Sequence, residues 1–347
     1  MIRFGKPSGP LMAIKSEFFT QNDSKLEQAQ KWAQLYKSQP PRTKCMNCSN
    51  QMGRADFLKL GVGYAFCSNC GHLNGLHEDT DEFCNAIYMD NSGREYAKTY
   101  LSSDKKAYRD RVKTIYLPKV KFLSKILKEQ NENPAEFGYA DIGAGSGYML
   151  AALDAAGFCA INGYEVSKSQ VEFGNRMLGA NLLHQHKPEE LENIITRLEA
   201  NILCMIGTLE HLQNPQQVLK AIISNTHIKY LYISVPMMSP CVYLEMVFPG
   251  VMPRHLTGGH THLYTNSSLA YMCRTYGLEP IGEWWFGTDM VDLYRDVLVS
   301  LGSREETKGA VASWRDMFVP LIDDMQKAMD QLKSGSEVHL VLKVKRG

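Results

Sequence analysis

Four cysteines stand in two short pairs, Cys45-Met-Asn-Cys48 and Cys67-Ser-Asn-Cys70, with 18 residues between the pairs. Each pair offers two thiolates from one tight turn, and the spacing is that of a zinc site. Four thiolates fill the ion's tetrahedron, so zinc at Cys45, Cys48, Cys67 and Cys70 is expected to be structural, with no position left for substrate. Gly53 and Gly71 lie just beyond the two pairs, where turns are expected. A second group is the string YADIGAGSGYML, in which Gly143, Gly145 and Gly147 follow an apolar run ending at Asp141 and Ile142. Glycines let a strand turn sharply into a helix and let a ligand approach the backbone. A dinucleotide loop would carry its third glycine at position 148, which is Tyr148, so the spacing argues against NAD. About 20 residues on, Glu165 ends the next apolar run; a carboxylate there accepts hydrogen bonds from both hydroxyls of a ribose. A third group is His255, His260 and His262 in RHLTGGHTHLYT, with His211 at a helix start in GTLEHL. Histidine exchanges protons near neutral pH, which makes these candidates for a general base.

Those residues need elements to hold them. From residue 137 to 286, short apolar runs alternate with helical patterns, as βαβ units do. Strands are expected near 137–142, 160–165, 202–206, 229–235 and 279–285, a further one near 181–184, and a closing one from Glu337 to Lys345. The fold class is therefore α/β, a doubly wound, mainly parallel sheet with a small zinc ribbon in front. Residues 1–44 form an arm and a helix, Ser24 to Lys37, stopped before Pro40 and Pro41. Residues 45–75 form the zinc module, 76–130 a helical segment, and 131–347 the catalytic domain. Within the last, 287–335 reads as an insertion of two helices. Trp314, Phe318, Leu321, Met325 and Leu332 share one face of the second, and Pro320 kinks that helix or delays its start.

The chain has 347 residues and a net charge of +1, which gives no global electrostatic case for nucleic acid. The loop between the cysteine pairs carries only Arg54 and Lys59 against Asp56, thin for phosphate binding. Residues 94–130 are basic, and their Tyr96, Tyr100, Tyr108 and Tyr116 either stack a base or sugar or pack on the core, the second being favoured. Nine cysteines, an odd number and mostly scattered, suit reduced thiols in the cytoplasm rather than a disulfide scaffold. The first residues lack the apolar run of a signal peptide, and no stretch approaches a membrane span.

The glycine string resembles motif I of class I S-adenosylmethionine (SAM) methyltransferases, whose loop cradles the amino-acid part of SAM. Gly207 and Thr208, before Glu210-His211-Leu212, resemble the segment after the fourth strand of many small-molecule methyltransferases. The resemblance implies SAM held by Asp141, Gly143, Ala144, Gly145, Gly147, Glu165, Gly207 and Thr208. The stretch His260-Thr261-His262-Leu263-Tyr264-Thr265 is similar to one in deoxysugar C-methyltransferases, which also carry an N-terminal cysteine module; the family's glutamate is Thr261 here. That likeness places the general base at His262, with His260 its neighbour or substitute and His211 a further candidate. It implies a small polar acceptor, a sugar or nucleotide-linked sugar. An RNA methyltransferase gripping its substrate through the ribbon and a non-catalytic SAM-fold scaffold are the alternatives.

Overall fold

The computed structural model describes residues 1–14, 17–88, 105–256 and 260–346. Tyr96, Tyr100 and Gly259 lie outside the described residues. The strands are β1 (Ile2–Phe4), β2 (Phe57–Lys59), β3 (Val62–Phe66), β4 (Leu73–Gly75), β5 (Tyr139–Ile142), β6 (Ile161–Glu165), β7 (Leu183–Gln185), β8 (Ile202–Ile206), β9 (Tyr230–Pro236), β10 (His262–Leu263), β11 (Leu278–Phe286) and β12 (Glu337–Val344). Eight of them form one sheet in the order β1-β11-β12-β9-β8-β5-β6-β7. Every pairing is parallel except those of β12, which runs against both β11 and β9. From β5 the chain winds outward to β6 and β7 on one side, and from β8 to β9 on the other. The order reverses between β5 and β8, and the carboxyl ends of strands at such a reversal are where α/β sheets bind ligands.

The central strands are buried almost throughout, YLYISVP of β9 along its whole length and ILCMI of β8 up to the half-buried Ile206. Both faces are covered, so no polar alternation appears. Helices Leu117–Glu129, Tyr148–Ala155 and Lys168–Leu178 bury their apolar sides on one face. Helices Leu191–Arg197, Pro215–Ser224 and Asn266–Thr275 cover the other. The strand near 181–184 exists as β7, and the edge strand β1 is an addition that sequence patterning did not show.

The cysteine sheet is built differently from what residues 45–75 alone allow. β2, β3 and β4 form an antiparallel meander, and its fourth strand is β10, borrowed from the catalytic domain, with His262 opposite Asn74 and Leu263 opposite Leu73. The left-handed position after the first cysteine pair is Ser49 (φ 57), not Gly53, which has open space around it. Gly71 is required: its φ is +73, and a Cβ there would lie 2.3 Å from the Ser267 hydroxyl.

The insertion holds three longer helices, Asp289–Gly302, Val311–Phe318 and Ile322–Gln331, rather than two. Pro320 sits in the tight turn Val319–Leu321 that separates the last pair. That turn changes the phase of the apolar stripe. Trp314 and Phe318 pack on Tyr294, but Leu321, Met325 and Leu332 are exposed. The last helix buries Ile322, Gln326 and Asp330 instead. Gln326 binds Asp289, whose carboxylate also accepts from the Ser239 hydroxyl and the Cys241 amide. The insertion thus braces the segment that follows β9.

Candidate active site

A cavity of about 1080 Å³ opens at the carboxyl ends of β5 and β8. Gly143, Ala144, Gly145, Ser146, Glu165, Gly207 and Thr208 all line it. Gly143, Gly145 and Gly147 take φ of +67, +54 and +75, the left-handed region that side chains resist. A Cβ on Gly143 would stand 2.5 Å from Oγ1 of Thr208, which itself donates to the Ile142 carbonyl at 3.0 Å. The loop is therefore a cradle whose shape depends on missing side chains. Glu165 closes it: one carboxylate oxygen accepts from the Gly145 amide and the other from the Ser167 amide, each at 2.8 Å. Burial raises the Glu165 carboxyl above its ordinary value, and these two amides and His186 oppose the rise.

Asp141 does not line the cavity. It is buried behind the loop, and burial, then Glu165, push its carboxyl up to about 8 against the pull of Lys119. Tyr148, where a third glycine would stand in a dinucleotide loop, is buried between Tyr108 and Tyr116, with ring centroids at 4.5 and 5.3 Å. The Tyr108 hydroxyl donates to the Ser146 carbonyl at 3.0 Å. Tyr108 therefore supports the loop from the core, and Tyr116 also reaches the cavity wall. Close helix approach falls to Gly174, where a Cβ would lie 2.9 Å from the Ser146 backbone; the sequence reading missed this position.

Four histidines also line the cavity, His186 beside Glu165 and a group of three, His211, His255 and His260. The His211 and His260 rings stack at 5.1 Å. His260 Nδ1 lies 2.9 Å from the His255 carbonyl. A carbonyl only accepts, so Nδ1 carries the proton and Nε2 the lone pair. Burial, then repulsion from His211 and His255, hold the His260 pKa well below the usual histidine value, so its ring is neutral near pH 7. Glu210 stands beside them, 4% exposed, with one carboxylate oxygen unpartnered. Burial and Glu337 push its carboxyl up to about 8, with Lys119 opposing.

His262 is not at the mouth of the cavity, where the resemblance put it. It is 1% exposed in β10, and its Nδ1 meets Nε2 of His72 at 2.8 Å. The reason is the borrowed strand, which turns His262 toward the cysteine module. Arg254 and His255 are held by a carboxylate that sequence reasoning did not single out, Glu245. It accepts from the amides of Arg254, His255 and Leu256, and pairs with the buried Lys59 at 2.6 Å. Arg254 is gripped in turn by both oxygens of Asp292 in the insertion, at 3.0 and 3.1 Å. Burial alone would raise the Glu245 carboxyl, but Lys59 and His255 hold it below its ordinary 4.5. The group's contribution to stability is then complete above that value and is lost as pH falls below it. Glu245→Gln leaves Lys59 buried without a counter-charge and is expected to cost about 3–5 kcal/mol, read from urea unfolding. A variant as stable as the wild type would show the pair to be dispensable.

The four cysteines converge. Sγ of Cys45 lies 3.7 Å from that of Cys70, Sγ of Cys48 lies 3.4 Å from that of Cys67, and all four fall within 4.8 Å of one another. Bonds of ~2.3 Å in a zinc tetrahedron place sulfurs ~3.8 Å apart, so the set fits that ion.

The methyltransferase-domain family profile matches residues 108–283, just over half of the sequence, from Tyr108 beneath the loop to β11. The chain belongs to the methyltransferase-domain family. This methyltransferase is similar in structure to the plantazolicin methyltransferase BamL in complex with a triazolic desmethylPZN analog and SAH, at 13% identity over 76% of this chain and 94% of that one, TM-score 0.46. It is also similar to magnesium protoporphyrin IX methyltransferase (ChlM) from Synechocystis PCC 6803 with bound SAH, at 13% identity over 57% of this chain and 90% of that one, TM-score 0.40. A third likeness is a putative sarcosine dimethylglycine methyltransferase from Galdieria sulphuraria, at 12% identity over 74% and 99%, TM-score 0.43. No curated protein sequence matches the chain. Among the described residues, no helix is long and apolar enough to cross a membrane.

Proposed function

We propose that this methyltransferase moves a methyl group from SAM to a hydroxyl of a small polar metabolite, a sugar or nucleotide-linked sugar, with a histidine general base. The observation that carries this reading is one cavity walled both by the glycine cradle with Glu165 and by His211, His255 and His260. About 1080 Å³ is at the top of the range for small-molecule sites and suits a donor and an acceptor together. SAM supplies an electrophilic methyl group. Gly143 and Gly145 let its amino-acid part approach the backbone, and Glu165 receives its ribose hydroxyls. Gly147 does not line the cavity and instead lets the loop pack on Leu178 and Leu183. His260 presents its Nε2 lone pair to the acceptor. As the acceptor oxygen takes the methyl, its proton goes to that nitrogen; much of the rate enhancement comes from alignment.

Cys45, Cys48, Cys67 and Cys70 would hold zinc in a structural role. All nine cysteines stand outside disulfides, four of them offered to zinc, which supports a reducing, cytoplasmic setting.

Two substitutions test the cofactor site by calorimetry. Gly145→Arg forces a side chain onto a backbone at φ +54, beside Gln170 and into the cavity, and is expected to abolish SAM binding. Glu165→Ala removes the ribose acceptor and frees the Gly145 and Ser167 amides; affinity should fall about 10–100-fold. Unchanged SAM affinity in both variants, or NAD binding as tightly as SAM, would overturn the assignment.

A further inference from the structure

One group in the cavity has more donors than a proton relay needs. We propose that Glu210, His211 and His260 form a binding site for one divalent transition-metal cation, separate from the four-cysteine site. A carboxylate oxygen and two imidazole nitrogens from these residues lie within 4.8 Å of one another. Donors bound to one ion at ~2.0–2.2 Å stand at most ~4.4 Å apart, so a small inward swing completes the set.

The second observation concerns Glu210. It is 4% exposed and lines the cavity, yet its Oε2 has no hydrogen-bond partner. A buried carboxylate oxygen left unpaired is costly, and a cation beside it removes that cost. The third concerns His260. Its Nδ1 proton is committed to the His255 carbonyl, which leaves Nε2 as the unprotonated nitrogen available to a metal ion. A backbone carbonyl on the far ring nitrogen is the usual way a metal-binding histidine is fixed in orientation and tautomer. His255 is itself fixed, with Nε2 at 2.9 Å from the Met237 carbonyl.

Two imidazoles and one carboxylate favour manganese, iron, cobalt or zinc over magnesium, and leave coordination positions open. An acceptor oxygen in one of those positions has its proton acidified by the ion. The proton then leaves to water, the oxygen forms its bond to the methyl carbon, and the electrons of the broken S–CH3 bond stay on sulfur. His260 then acts as a ligand, and the ion does the polarising assigned above to its lone pair. The site stands on side-chain geometry; only this role rests on the proposed transfer reaction.

The test uses the full chain with zinc in the cysteine site and Mn²⁺ as the probe, followed by its electron paramagnetic resonance. Manganese competes poorly for thiolates, so it reports the cavity site. One Mn²⁺ per chain is expected to bind and to be displaced by added Zn²⁺. Glu210→Gln keeps the side chain's shape, and His260→Ala removes one ligand; each should weaken Mn²⁺ binding at least about tenfold while SAM binding persists, which reports an intact fold. Wild-type protein that binds no Mn²⁺ at millimolar concentration, or both variants binding it as well as wild type, would overturn the site. Full-rate methyl transfer in EDTA, with the cysteine zinc retained, would overturn the ion's role and leave the methyltransferase reading standing. Loss of that reading instead would show as failure to bind SAM, and the Mn²⁺ titration would still decide the site.

Discussion

Replacing His260 by alanine is expected to lower kcat about 10²–10⁴-fold and to leave SAM affinity nearly unchanged, the range for a positioned group acting on the proton of the reacting atom. The glycine turn after β5 and Glu165 at the end of β6 form the cradle, and His260 meets only the far end of the loop after β8, through the His211 ring. The contrast with His262→Ala sharpens the test. His262 is 1% exposed and packed on His72 and Tyr264, so its loss opens a hole between two sheets. That variant should be less stable while retaining much of its turnover at low temperature. His211→Ala should fall between the two, because its ring stacks on His260 and also reaches the cavity. A His260→Ala enzyme at full rate would remove the residue from the reaction. A His262→Ala enzyme of full stability with kcat down a thousandfold would restore the role that the resemblance gave it.

If the four cysteines hold zinc as proposed, its loss should be the largest single blow to stability. Zinc binding supplies about 10–16 kcal/mol of apparent folding free energy in small zinc modules. The meander β2–β4 packs Val62, Tyr64 and Leu73 into an apolar cluster away from the cysteines, whose own small cluster has little beyond the buried Cys45, Cys67 and Cys70 to hold it. Protein prepared without chelator should retain zinc that Cys67→Ser loses. The variant should melt at a markedly lower temperature and lose methyl transfer as well. That second loss follows from contact: Asn47 donates to the Ser268 carbonyl at 3.0 Å, Thr265 donates to the Gly71 carbonyl at 3.1 Å, and Gln216 donates to the Met46 carbonyl at 3.1 Å. Zinc-free wild-type protein with an unchanged melting temperature would sink the structural role.

Much of the catalytic sheet was legible in the sequence because its strands are central and parallel. Burial on both faces makes β8 and β9 continuous apolar runs, and the glycine string marks where β5 turns into a helix. The residues of the glycine turn and Glu165 that line the cavity were legible for the same reason, since they stand at strand ends, whereas Asp141 lies within its strand and faces away from the cavity. The histidines could not be ranked. Whether His260 or His262 meets the cavity depends on β10 pairing with a strand far back in the chain, and two residues carry no readable period. β1, three residues at the sheet edge, is equally silent. The insertion misled in another way. Its packed face includes Gln326 and Asp330, held by hydrogen bonds around Asp289 and to each other, so the apolar periodicity points instead to Leu321 and Met325, which face solvent.

The borrowed strand also sets an order of events when the chain is made. His72 and His262 are 190 residues apart. At ~5–20 residues per second of synthesis, the cysteine meander emerges ~10–40 s before the strand that completes its sheet. Through that interval the outer side of β4 is an open edge, able to pair with a strand from another chain. Metal capture by the two cysteine pairs would require only residues 45–70, all of which lie within the emerged segment. A zinc ion held there, as proposed above, would keep the meander in register until β10 arrives, and its first task would be to guard a nascent edge, before there is any enzyme to stabilise.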